Sequence, residues 1–72
     1  MTNEERFRKL GLNIAYYRKE KGMSQMELAE HIGISRTHMS RIENNECSPS
    51  LDTLFNIADA LSVNISEFFI FR

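Results

Sequence analysis

The sequence predicts an all-α domain, and three observations carry that prediction. Apolar residues recur at three- and four-residue intervals along most of the chain, and no run alternates with a strand's period. Good N-capping residues, Thr2, Ser24, Ser35, Ser50 and Asn64, stand just ahead of those stretches. Glycine, asparagine and the single proline separate them, dividing the chain into five helical segments with no repeat, low-complexity tract or linker.

Helix 1 opens at Thr2, which forms a capping-box signature with Glu5, and runs to about Lys21, where Gly22 stops it. Projected at about 100° per residue, Phe7, Leu10, Gly11, Ile14 and Tyr17 share one apolar arc. Arg18 lies in the same arc. A guanidinium aimed at a core is costly unless paired, so a carboxylate is expected on another inward-facing surface. Glu43 meets that need, because on helix 3 it projects beside Met39 and Ile42. A largely buried Arg18–Glu43 salt bridge tying helix 1 to helix 3 is the expectation. The alternative has Arg18 snorkelling to solvent and Glu43 as an ordinary surface acid.

Helix 2 follows Ser24, which repeats the capping signature with Glu27, while Ser35 caps helix 3 and Asn45 ends it by adopting a left-handed conformation. Across residues 25–44, QMELAEHIGISRTHMSRIEN, the residues Leu28, Ile32, Ile34, Met39 and Ile42 supply apolar contacts. Ala29 lets two short helices approach and Gly33 supplies the turn between them. This is a helix-turn-helix formed by helices 2 and 3, a motif whose second helix commonly enters the DNA major groove.

Pro49 then breaks the chain before Ser50 caps helix 4, where Leu51, Leu54, Ile57, Ala58 and Leu61 form a core-facing stripe with Phe55 at its edge. Asn64 and Glu67 offer a capping box for a short helix 5. The apolar run Phe68-Phe69-Ile70-Phe71 exceeds what so small a domain can bury, and an exposed apolar patch ordinarily marks an interface. The single domain, residues 1–72, is therefore expected to form a twofold homodimer through its C-terminal helix and tail, residues 64–72. Phe55, Phe69, Ile70 and Phe71 are the expected interface residues. A monomer with its tail folded over its own core is the alternative. Leu12 and Tyr16, on the outer side of helix 1, make a weaker second surface.

Composition narrows the function classes. A chain of 72 residues is too small for an enzyme with a deep walled pocket. His31, His38, Cys47 and Ser35 assemble no nucleophile, base and orienting acid, and His38 is expected to be partly packed at the margin of helix 3. One cysteine allows neither an internal disulfide nor a thiolate metal cluster, so no cofactor or metal is expected. No apolar run spans a bilayer and no secretory pattern opens the sequence, which fits a reducing cytoplasm. A net charge of −1 lacks the basic footprint common in DNA-binding domains. The charge is segregated, however: eight basic side chains face five acidic ones through Arg41, and one faces five from Ile42 onward. The positive half contains helix 3, and a domain so charged should bind DNA modestly and in more than one copy.

The outer face of helix 3 collects Arg36, Thr37, Ser40, Arg41 and Asn44, all polar or basic. Arginine can bind guanine bidentately, threonine can reach a base edge or a thymine methyl, and serine and asparagine suit phosphate or base oxygens. Because the N-terminal end of such a helix meets the bases, Arg36 and Thr37 are the leading candidates for direct readout. Arg41 could read a base or clamp a phosphate. Gln25, opening helix 2, could bridge a phosphate and a neighbouring side chain. Ser24 is a cap first and a phosphate contact second. Taken alone, this face could also be the solvated side of an ordinary amphipathic helix.

At these residues the chain resembles the Xre/Cro-like helix-turn-helix family of phage repressors and bacterial regulators. The resemblance runs through RKEKGMSQMELAEHIGISRTHMSRIEN and SPSLDTLFNIADALSVNISEFF. It implies a compact five-helix, lambda-repressor-like domain that binds operator DNA as a homodimer. It places Gln25, Arg36, Thr37 and Arg41 at DNA-contacting positions, Ser24 and Asn44 near phosphate, and an ion pair at Arg18 and Glu43. Asn45 and Ser62 depart from it, standing where similar sequences often have glycine. The expected function is a sequence-specific transcriptional regulator, a repressor on a pseudo-palindromic operator. A protein-interaction module, such as an antitoxin or an adaptor, is the alternative.

Overall fold

The structure is a computed structural model that describes residues 1–71; Arg72, the last residue of the expected dimerisation tail, lies outside the described residues. Four α-helices, α1 (Asn3–Glu20), α2 (Gln25–Ile32), α3 (Arg36–Glu43) and α4 (Leu51–Leu61), are followed by a 3₁₀ helix, Ile65–Phe69. Thr2, Ser24, Ser35 and Ser50 each accept a hydrogen bond from the amide three residues on, and in α2 the Glu27 carboxylate accepts in turn from the Ser24 amide. Each such cap contributes about 1 kcal/mol.

The fifth segment is not the α-helix expected. Asn64 accepts from the amide of Ser66, two residues on, and the Glu67 carboxylate accepts from the Tyr17 hydroxyl at 3.0 Å instead of closing a capping box. With its cap spent on a tighter turn, the segment winds as a short 3₁₀ helix.

Every element contributes to one core: Leu10 and Ile14 from α1, Leu28 and Ala29 from α2, Met39 and Ile42 from α3, Leu54, Ile57, Ala58 and Leu61 from α4, and Phe68 from the 3₁₀ helix. Phe7 and Leu51, expected to face inward, are 43% and 66% exposed. No residue of α1 before Leu10 is buried and none of α4 before Leu54, so both side chains project beyond the layer they were assigned to.

Two backbone features set the helix positions. Gly33 sits at φ 78° in the α2–α3 turn, and the Ile34 amide reaches back to the Ala29 carbonyl at 3.0 Å. Gly11 lets α1 approach the end of α3 so closely that a Cβ there would lie 2.6 Å from the Glu43 carbonyl oxygen and 2.8 Å from that of Ile42. Asn45 and Ser62, where glycine was the usual residue, take left-handed φ values of 59° and 54°. The local path that glycine would give is thus kept with a side chain present. Among the described residues, no helix is long and apolar enough to cross a membrane.

Candidate nucleic-acid interface

The α3 helix turns Met39, Ile42 and Glu43 inward and leaves Arg36, Thr37, Arg41 and Asn44 exposed, with Ser40 half-buried. Ser35 pins its N-terminal end by accepting from the His38 amide, which fixes where Arg36 and Thr37 begin. At the other end Asn44 is the C-cap, and its Nδ2 donates to Ser40 Oγ at 3.3 Å. Five expected residues therefore share one face. His38 joins the exposed side, contrary to the packed position expected for it, because the core contact is made by Met39 next to it.

The only acid of α3 is withdrawn from that face. Glu43 and Arg18 are each 7% exposed, and they meet through Arg18 Nε to Glu43 Oε2 at 2.6 Å and Arg18 Nη2 to Glu43 Oε1 at 3.0 Å. This two-point geometry is the strong form of the guanidinium–carboxylate contact. Arg18 Nη1 donates to the Met23 carbonyl at 2.7 Å, and Gln25 Nε2 donates to Glu43 Oε1 at 3.0 Å. Among the described residues, no buried side-chain nitrogen or oxygen lacks a partner. The network joins α1, α2 and α3 and leaves arginine as the only charged residue type on the outer face of α3. Gln25 is thus held half-buried against α3 by its amide nitrogen.

Ser24 is engaged as a cap on both sides of its peptide. The backbone amide of Ser24, and then its hydroxyl, hold the Glu27 carboxyl below the ordinary carboxylate range. Tyr17 shifts the other way: its bond to the Glu67 carboxylate, aided by desolvation and nearby negative charge, raises the phenol above its usual value.

The expected interface residues divide. Phe68 is wholly buried, Phe55, Phe69 and Ile70 are about half exposed, and Phe71 is half-buried with its ring centroid 6.4 Å from that of Phe69. Phe55 lies on α4, whereas Phe69 and Phe71 line a small cleft with Phe7 and Leu10 of α1. One residue escaped the sequence reading altogether. Asn13 Nδ2 donates to the backbone carbonyls of Phe68 and Ile70, at 2.9 Å and 3.0 Å. Its partners are backbone atoms, which leave no trace in a sequence.

A family model described as "Helix-turn-helix" matches residues 14–68. The chain is 42% identical over 59 residues to the ImmF control region 10 kDa protein of Bacillus phage phi105, covering 82% of this chain and 66% of that protein. It is 40% identical over 57 residues to the HTH-type transcriptional regulator SinR of Bacillus subtilis, covering 78% of this chain and 51% of that one. A structure of SinR, described as the master regulator for biofilm formation and solved in complex with DNA, superposes with a TM-score of 0.77 at 38% identity, covering 82% of this chain and 95% of that one. The restriction-modification controller protein C.AhdI of Aeromonas hydrophila superposes with a TM-score of 0.84 at 30% identity, covering 88% and 96%. The chain spans from 37% to 66% of the length of the first curated relatives it matches.

Proposed function

The chain belongs to the helix-turn-helix family, and from that membership we propose that it is a sequence-specific DNA-binding transcriptional regulator, a cytoplasmic repressor that holds double-stranded operator DNA as a homodimer. The observation that carries the reading is the outer face of α3, polar and basic throughout, with its one acid buried against Arg18. Arg36 and Thr37 read base edges from the N-terminal end of that helix, and Arg41, one turn on, reads a base or clamps a phosphate. Ser24 and Gln25 bring the N-terminal amides of α2 to a phosphate, where the helix dipole favours the anion. Ser40 and Asn44 support the backbone contact at the far end. The relatives point the same way, since SinR is named a transcriptional regulator and its structure was solved with DNA.

Two copies, joined through the C-terminal segment, present two α3 helices about 34–36 Å apart, one turn of B-DNA. Binding then occludes the polymerase over a pseudo-palindromic site. The net charge of −1 makes one domain a weak binder, so pairing supplies the affinity. Selecting bound sites from a random DNA pool tests the reading, and an inverted repeat with half-sites one turn apart is expected. A chain that prefers no DNA sequence at any salt concentration overturns it, in favour of a protein-interaction module such as an antitoxin or an adaptor.

A further inference from the structure

His38 is exposed on one edge of α3, the edge farther from the first turn of α2. Projected at about 100° per residue, Thr37 and Arg41 form the crest of the helix, and Arg36 and Ser40 fall toward Glu43. That edge adjoins the start of α2, because Gln25 Nε2 donates to Glu43 Oε1 at 3.0 Å. His38 falls on the opposite edge, beyond Arg41 and next to the inward-facing Ile42. Its backbone amide is spent on Ser35 Oγ, and among the described residues its imidazole enters no hydrogen bond or ion pair. A ring that carries an N–H donor thus stands free at that edge.

A helix about 10–12 Å in diameter fills a major groove about 12 Å wide, so each of its edges meets one sugar-phosphate wall. The wall on the α2 side meets Ser24 and Gln25. Little else in the chain can hold the other wall. The segment after α3 folds back on the last turn of that helix, the amides of Glu46 and Cys47 donating to the Arg41 carbonyl at 2.7 Å and 3.3 Å. It brings an exposed carboxylate, Glu46, and from Ile42 to Phe71 the chain contains no lysine, arginine or histidine. We propose that His38 is a DNA contact, whose imidazole N–H donates to a phosphate on the strand opposite the one met by Ser24 and Gln25, so that α3 is held from both walls of the groove. This deepens the DNA-binding reading above and rests on it. A contact of this kind fixes the register of α3 without reading sequence, and leaves direct readout to Arg36 and Thr37.

The test uses the full chain and the duplex recovered from the random pool, with single phosphates of a half-site replaced in turn by uncharged methylphosphonate on each strand. Fluorescence anisotropy gives the Kd and circular dichroism the fold. His38→Ala is expected to keep the helical signal, because the Ser35 cap is bonded to a backbone amide that alanine retains. It should raise the Kd about three- to tenfold, the scale of one hydrogen bond, and by the same factor on every single base-pair variant of the site. One methylphosphonate that weakens wild type should have no further effect on His38→Ala, and His38→Arg, which restores a donor at that edge, should recover sensitivity to it. That phosphate should lie on the other strand from the one silenced in Gln25→Met, which keeps the side chain's length without its donor. An unchanged Kd and phosphate profile in His38→Ala refute the contact while DNA binding stands. A loss confined to the preference at one base pair refutes it too, since His38 would then read a base. A silenced phosphate on the Gln25 strand overturns the two-wall arrangement; should Gln25→Met unfold, the His38→Ala profile alone decides whether a phosphate contact exists. If the pool yields no preferred sequence, the DNA reading fails and the contact fails with it.

Discussion

At the scale of single residues, each proposed role has a distinct signature. Arg36→Ala is expected to cost about 1–3 kcal/mol of binding and to relax preference at one base pair, read by titrating a panel of operator variants. An equal loss on every DNA sequence would make Arg36 a phosphate contact instead. Arg18→Ala acts on the fold, because it leaves the Glu43 carboxylate buried without its cation. A loss of about 3–5 kcal/mol is expected in a denaturant titration, a large part of the stability available to so short a chain. Ser62 holds φ 54°, a conformation that strains a residue bearing a Cβ, so Ser62→Gly is expected to raise stability by about 0.5–1 kcal/mol. The contact between Arg18 and Glu43 was legible because two helical projections each left a charge pointing inward. The bond from Gln25 to Glu43 was not, since it depends on how α2 and α3 cross. His38 was misjudged for a related reason: a residue at the edge of a projected face is packed or exposed according to its neighbour's bulk.

At the scale of elements, the capping residues carried most of the boundary information, and four of them, Thr2, Ser24, Ser35 and Ser50, cap as their spacing suggested. The exception is instructive. Asn64 with Glu67 has the same spelling as a capping box, but Tyr17 reaches Glu67 from α1 and the segment tightens into a 3₁₀ helix. Periodicity also overran the core at Phe7 and Leu51, because a helical projection contains no record of where the facing helix stops. The α2 cap makes a pH prediction. The folded state holds the Glu27 carboxyl below its unfolded value, so the cap's contribution is present above the unfolded value and is lost as pH falls through the folded one. Thermal melts of wild type should therefore drop over that acid range. Glu27→Gln, which can still accept from Ser24, should remove this part of the slope. The Tyr17–Glu67 bond has the opposite sense: the raised phenol contributes below the unfolded value and its contribution is lost as pH rises through the folded one.

At the scale of the whole molecule, five segments packed on one core were readable, and so was the excess of apolar surface at the C-terminal end. What pairing of charge and surface does with them was only partly readable, since the bonds from Asn13 and the close approach at Gly11 both involve backbone oxygens. Mass in solution measured with and without residues 70–72 should show a dimer converted to a monomer. Operator binding should fall steeply with added salt, with a log–log slope that scales with the number of phosphates engaged by both copies.

The face proposed to read DNA lies on α3, and the exposed Phe69 and Ile70 lie at the end of the 3₁₀ helix, with α1 in contact with both elements. Damage to one can therefore leave the other whole, and this has a genetic consequence. In a cell making both chains, Arg36→Ala protomers should enter mixed dimers with wild-type partners and spoil them, so that the allele is dominant-negative. Gly11→Val, which wedges α1 from α3 and prevents folding, should be recessive. Reporter expression in merodiploids separates the two.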